Sequence, residues 1–168
     1  MKNKIVLKNQ LKKILDKARI NKKIVQCHGV FDLLHIGHIK HFKKSKKLGD
    51  ILVVSITGDS FVNKGPDRPK FNEKYRSEAI AAIQAVDYVI VSQNVAALEM
   101  IELIKPHFYC KGNDYLNNKS DLTGNIKRES KIVKKFGGKV LYTNEVSFSS
   151  SNLINSYLSN YNKYQKRN

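Results

Sequence analysis

The sequence predicts an α/β fold, a parallel five-stranded sheet with helices on both faces, and three observations predict it. Short apolar runs alternate with segments of helical periodicity along the chain. The runs are continuous rather than alternating, as strands buried on both faces require. Glycines and polar side chains recur where those runs end, which is where open parallel sheets bind ligands.

The elements follow in order. Leu7, Leu11, Ile14, Leu15 and Ala18 have helical spacing, so residues 7–19 are expected to form an amphipathic helix. Residues 24–28 form a short buried strand ending at His28-Gly29. Ile39, Phe42 and Leu48, set among lysines, mark a helix over 37–48. Residues 50–57 read as a second buried strand, followed by a loop over 58–70 broken by Gly65, Pro66 and Pro69. Asn72 can cap a helix running to about Ala85. A third strand is expected at 88–91, and a helix over 96–104 that must stop before Pro106. A fourth strand at 107–111 is closed by Gly112, and a helix over 123–136 is ended by Gly137-Gly138. A fifth strand occupies 139–142, and a last helix runs from Ser149 to about Leu158.

The 168 residues suit a single domain over 1–168, with the first helix inside 1–20 and a polar tail over 160–168 expected to fray. A net charge of +17 favours polyanions or phosphorylated small molecules. The lysines are spread along the chain rather than gathered into one arm, so a nucleic-acid partner is not expected. Cys27 and Cys110 lie in separate apolar runs without a C-x-x-C pair, which excludes a zinc ribbon or a thioredoxin motif and fits a reduced, cytoplasmic compartment. No apolar run approaches the roughly 20 residues of a membrane span.

The chemistry concentrates in His28-Gly29-Val30-Phe31-Asp32-Leu33-Leu34-His35-Ile36-Gly37-His38. His35 and His38 flank Gly37 where a helix begins. A helix N-terminus offers unpaired N–H groups and a partial positive charge, a seat for phosphate. Gly37 and Gly29 let a ligand approach the backbone, and two imidazoles can donate to phosphate oxygens as charge grows. A zinc site from His35, His38 and His41 fits poorly: a cation there opposes the helix dipole, and no cysteine or acidic pair completes the set. No metal-ligating residue is therefore assigned. Asp32 reads as a residue that orients the turn.

The stretch Gly29–His38 resembles the signature of the cytidylyltransferase-like branch of HxGH nucleotidyltransferases. Val62-Asn63-Lys64-Gly65-Pro66-Asp67-Arg68-Pro69, Arg76, Val86-Asp87-Tyr88-Val89, Lys111-Gly112-Asn113-Asp114-Tyr115 and Phe148-Ser149-Ser150-Ser151-Asn152-Leu153-Ile154 are similar to its later motifs. Within the family the look is nearest to adenylyltransferase domains for D-glycero-β-D-manno-heptose 1-phosphate, with phosphonate-pathway cytidylyltransferase domains almost as near.

The resemblance implies a Rossmann-like HxGH nucleotidyltransferase fold. It implies transfer of a nucleotidyl group from ATP or CTP to a phosphorylated sugar or related acceptor, with release of pyrophosphate, in cell-envelope carbohydrate synthesis. Mg²⁺ would bridge the NTP phosphates, and a homodimer is expected. His35, His38 and a mobile Lys64 would be the catalytic residues. Gly29, Val30, Phe31, Gly37, Lys111, Gly112, Asp114, Ser149, Ser150 and Ser151 would bind the nucleotide, and Arg68 would take the acceptor's phosphate through its planar fork. Arg76 reads equally as a structural or subunit-contact residue.

Glycerol-phosphate relatives carry Arg-Thr-Glu-Gly-Ile-Ser-Thr before the last helix. Here the segment is Thr143-Asn144-Glu145-Val146-Ser147-Phe148-Ser149, without the arginine, which argues against that acceptor. The polar insert 117–124 is a candidate wall of the acceptor pocket. The alternatives are a cytidylyltransferase for a phosphonate or polyol phosphate, and a basic nucleotide- or RNA-binding module without chemistry.

Overall fold

The computed structural model describes residues 3–65, 67–112 and 125–144. Five strands, β1 (Ile24–Gly29), β2 (Ile51–Thr57), β3 (Tyr88–Ser92), β4 (Phe108–Gly112) and β5 (Lys139–Thr143), form one sheet in the order β3-β2-β1-β4-β5. Every pairing is parallel. Five helices alternate with them: α1 (Lys8–Ala18), α2 (Ile36–Lys46), α3 (Glu73–Ala81), α4 (Leu98–Ile104) and α5 (Asn125–Lys135).

The residue alternation of each strand sorts the helices between two faces. Val25, Cys27, Leu52, Val54 and Ile56 pack under Phe42 of α2 and Ile80 of α3. Ile24, Val53, Tyr88 and Ile90 point the other way, against Leu11 and Leu15 of α1 and Met100 and Ile104 of α4. Tyr109 joins Ile101 and Val133 where α4 meets α5. Both faces of the sheet are thus buried, which is why its strands read as unbroken apolar runs.

Most boundaries fall within two residues of the expected ones, and the exceptions have identifiable causes. The helix expected to reach Ala85 ends at Ala81. Beyond it, Ile83 N–H donates to Ile80 O and Val86 N–H to Ile83 O, tighter turns that bring Val86 into the core. They also seat Asp87, whose carboxylate accepts Leu52 N–H at 2.7 Å at the start of β2. Helix α4 starts at Leu98 rather than Ala96, and the N–H of Ala97 is accepted by Glu129 of α5. Its other end closes at Lys105, which has a left-handed φ of 43°, while Arg19 donates to the carbonyls of Ile104 and Lys105. Asn72 caps α3 as expected, accepting Tyr75 N–H. The expected loop contains a 3-10 turn, Asp59–Phe61. The helix expected from Ser149, the 117–124 insert and the 160–168 tail lie outside the described residues.

The strand order places the topological switch between β1 and β4: the chain winds from β1 through β2 to β3, then crosses back to β4 and β5. The crevice of a doubly wound sheet opens beyond the carboxyl ends of those two strands. Here those ends are His28-Gly29 and Lys111-Gly112.

Candidate active site

The turn from β1 to α2 is built from close contacts. Phe31 has a left-handed φ of 50°. Its ring folds back over Gly29, where an added Cβ would lie 3.0 Å from the ring edge. The same ring meets His38 edge-on at 5.2 Å and Phe42 at 5.1 Å between centroids. Phe31 is therefore spent on packing, and only its backbone is left to meet a nucleotide. Gly29 leaves room for the Phe31 ring, which a Cβ there would crowd.

His35 is the N-cap of α2, and His38 stacks on it with ring centroids 3.8 Å apart. Among the described residues no side-chain hydrogen bond caps α2, and no acidic residue lies in its first turn. The first-turn N–H groups and their partial positive charge are thus not offset by an anionic side chain. Nδ1 of His38 is buried without a hydrogen-bond partner among the described residues. Burial, with His35, His41 and Lys64 adding positive charge, lowers the pKa of His38 to about 3. The ring is therefore neutral at physiological pH. Nδ1 of His41 pairs with Thr143 Oγ1 of β5 at 2.7 Å.

Lys64 and Arg68 approach from the loop after β2. Lys64 is exposed along its length, yet partial burial of its ammonium and the charge of Arg68 lower its pKa, opposed by Asp32. Since Lys64 also acts on His38, the loop lysine and the helix histidine share one electrostatic field. Arg68 is enclosed: its Nε donates to Asp32 Oδ2 at 2.6 Å, with the two side chains 4% and 1% exposed. Asp32 Oδ1 accepts the N–H groups of Lys70 and Phe71 at 2.6 and 3.2 Å. Asp32 thus orients more than its own turn, because it fixes the loop to it.

Arg76 is structural. It is 1% exposed and donates to the carbonyls of Phe71, Val30 and Thr57 and to Asp59. One guanidinium thereby gathers the ends of β1 and β2 and the start of α3. Asp59 and Glu73 complete this clamp, each carboxylate accepting the other's backbone N–H at 2.9 Å. The Asp32–Arg68 and Asp59–Glu73 links went unread in the sequence; the carboxylates stand 36 and 14 residues from their partners, and no local pattern announces such pairs.

At the other lip of the crevice, the Lys111 side chain departs from its expected role. Its ammonium pairs with buried Glu129 at 2.9 Å and lies 5.2 Å from the Tyr109 ring centroid. The backbone of Lys111-Gly112 is its remaining route to a nucleotide. Nothing among the described residues lies within 4 Å of a Cβ built on Gly112. His28, facing Lys111 on this side, bonds Ser55 Oγ through Nδ1 at 2.9 Å. Burial and the Lys111 charge lower its pKa to about 3. Asp114, Ser149, Ser150 and Ser151 lie outside the described residues.

Residues 26–156 match the cytidylyltransferase-like family. The chain belongs to that family. Among similar proteins, the bifunctional protein HldE of Syntrophotalea carbinolica is 34% identical over 163 residues, covering 95% of this chain and 32% of that protein. HldE of Aliarcobacter butzleri is 39% identical over 122 residues, covering 71% of this chain and 25% of that one. The chain thus spans about a third or less of the length of these curated relatives. A lipopolysaccharide core biosynthesis protein from Thermoplasma volcanium superposes with a TM-score of 0.62 at 29% identity, covering 76% of this chain and all (100%) of that one. Pantothenate synthetase from Thermus thermophilus has a TM-score of 0.63 at 14% identity, over 90% of this chain and 67% of its own, a likeness of fold alone.

The expected Rossmann-like nucleotidyltransferase fold is thereby met, and this cytidylyltransferase-like chain is of the nucleotidyltransferase class. Among the described residues no three His, Cys, Asp or Glu side chains gather to hold a metal ion, and no helix is long and apolar enough to cross a membrane.

Proposed function

We propose that this chain transfers a nucleotidyl group from an NTP to a sugar phosphate of the heptose 1-phosphate type, releasing pyrophosphate, in cytoplasmic synthesis of cell-envelope carbohydrate. The observation that carries this reading is the convergence, at the turn beyond the carboxyl end of β1, of the α2 N-terminus, the stacked His35–His38 pair, Lys64 and Arg68. Likeness to HldE proteins and to a lipopolysaccharide core biosynthesis protein supports the acceptor class. ATP is the donor favoured by the heptose-type resemblance, and CTP is its rival.

In this reading an acceptor phosphate oxygen attacks the α-phosphorus in line. The new P–O–P link forms, the bond from the α-phosphorus to the bridging oxygen breaks, and pyrophosphate leaves with the electron pair. A phosphate monoester is already anionic, so no general base is needed. Catalysis is positioning and charge stabilisation. The α2 N–H groups, with the Gly29, Val30 and Gly37 backbone, hold the phosphates, and His35 and His38 donate to them. Lys64 closes over the departing pyrophosphate. Lys111-Gly112, Asp114 and the Ser149–Ser151 segment hold base, ribose and phosphate. Arg68 takes the acceptor phosphate. Magnesium enters as part of the metal–nucleotide substrate, carried by the phosphates. The working unit is a homodimer.

The test is pyrophosphate release with each of four NTPs and a panel of heptose 1-phosphate, other sugar phosphates, polyol phosphates and phosphonates. Turnover with ATP and heptose 1-phosphate is expected. Turnover confined to CTP and a phosphonate or polyol phosphate would replace the acceptor and base, and none with any pair would overturn the reading.

A further inference from the structure

The Asp32–Arg68 pair has a geometry that ion pairing alone does not explain. An arginine stacked side-on against a carboxylate commonly uses two nitrogens and both oxygens. Here Asp32 gives one oxygen to Arg68 Nε and the other to the N–H groups of Lys70 and Phe71. The outer nitrogen Nη2 of Arg68 is left buried with no hydrogen-bond partner among the described residues. Leaving a charged donor dry and unpaired is costly, and breaking up a buried pair is costlier still. The arrangement makes sense if an anion meets that nitrogen in the working state.

The surroundings favour an anion. Asp32 is the one carboxylate seen to influence Lys64, and Arg68 acts on the same lysine with the opposite sign. The uncapped α2 N-terminus adds further positive potential. Two polyanions, a triphosphate and a phosphorylated acceptor, must come into contact for transfer, and their repulsion has to be offset. A guanidinium clamped through Nε, with Nη2 left unpartnered, supplies a fixed positive donor for that purpose.

We propose that Asp32 is a positioning residue that aims Nη2 of Arg68 at the acceptor's phosphate and so ties acceptor recognition to the turn that holds the nucleotide phosphates. This rests on the nucleotidyl-transfer reading above. Asp32 stands three residues before His35, so the turn that presents the helix N-terminus also sets the guanidinium's angle. The acceptor class follows: a terminal phosphate or phosphonate group, recognised through charge and a planar donor rather than through its carbon skeleton.

The test uses the full chain with ATP and heptose 1-phosphate, or with the active pair found in the panel. Arg68→Ala is expected to raise the acceptor KM by about tenfold or more while leaving the KM for the NTP within about twofold. Asp32→Asn is expected to shift the same constant, although the guanidinium is still present. Guanidinium chloride at low millimolar concentration should restore turnover of Arg68→Ala and fail to restore it in the Asp32→Asn/Arg68→Ala double variant, which lacks the carboxylate seat. A merely structural arginine would show no such conditional rescue. If a variant melts too low to assay, calorimetric titration of the more conservative Arg68→Lys with the phosphosugar replaces it, and acceptor affinity equal to that of the parent would overturn the proposal. An active parent whose Arg68→Ala variant keeps its acceptor KM overturns this inference alone. A parent inactive with every pair overturns the nucleotidyl-transfer reading and this inference with it.

Discussion

Acid loads two histidines in this fold. His28 and His38 each hold a pKa of about 3 against an ordinary value of 6.5. Between those values the unfolded chain binds a proton on each ring and the folded chain does not. The stability they contribute is therefore complete above 6.5 and is lost as the pH falls toward 3. At pH 5 the unfolded chain gains about 2 kcal/mol per histidine, or about 4 kcal/mol for the two. Any native value below about 4 gives the same result at that pH, so the magnitude depends on the rings being buried and not on how deeply. His107, lowered by burial and by Lys23 and Arg19, adds in the same direction. Against a total stability of roughly 5–15 kcal/mol the loss is large. Urea unfolding followed by circular dichroism, from about pH 7.5 down to about pH 5, measures it above the range where most carboxylates titrate. His28→Gln keeps a polar group beside Ser55 and removes one titrating ring, so it should lose about 2 kcal/mol less than the parent by pH 5. A parent midpoint that stays flat over this range, or a variant as steep as the parent, would refute the argument that buried neutral imidazoles carry this load.

The remaining predictions concern the turn and its clamp. His35→Ala and His38→Ala should each cut turnover by about 10²-fold or more with the melting temperature little changed, measured by pyrophosphate release; near-normal rates would remove their assigned role. Gly29→Ala forces a Cβ against the Phe31 ring. It should cost about 1–3 kcal/mol in urea unfolding and weaken nucleotide binding, and an unperturbed variant would mean that the ring has room to move. Arg76→Met strands three backbone carbonyls and Asp59. A loss of about 3–5 kcal/mol is expected, and a loss under about 1 kcal/mol would contradict the clamp.

Where the sequence was readable, the reason is local. The apolar run Ile51–Val54, too short for a helix, fits a strand covered on both sides, and that is where it lies. Asn72 caps through its own side chain, so its helix start was legible; the end at Ala81 depends on Asp87 reaching Leu52, a contact 35 residues away in sequence, and was not. The same holds for the start of α4, whose N-cap residue Ala97 donates its buried N–H to Glu129 from another helix.

The candidate site divides along the same line, and the division bears on how the reaction and the substrate are encoded. The phosphate seat is made by a strand end, a turn and a helix start that are continuous in the chain, so Gly29, His35, Gly37 and His38 announce it in ten residues. The parts that choose a partner are assembled by distant contacts. Asp32 reaches Arg68, Arg76 gathers both strand ends, and Glu129 draws the Lys111 ammonium away from the crevice it was expected to line. A lysine at a strand end looks the same in sequence whether its charge faces a ligand or a buried glutamate. In the proposed reading, binding to the nucleotide phosphates is a property of one segment, and it should persist while the loop contacts around it change. Capture of the acceptor's phosphate rests, in the same reading, on a tertiary pair, and the Asp32–Arg68 link couples it to the nucleotide turn. Substitutions that retune the acceptor should therefore cluster in the loop over 64–71 and leave NTP affinity largely intact, which a saturation series scored separately for the two KM values would reveal; a series in which both constants always move together would mean that the two sites are not separable.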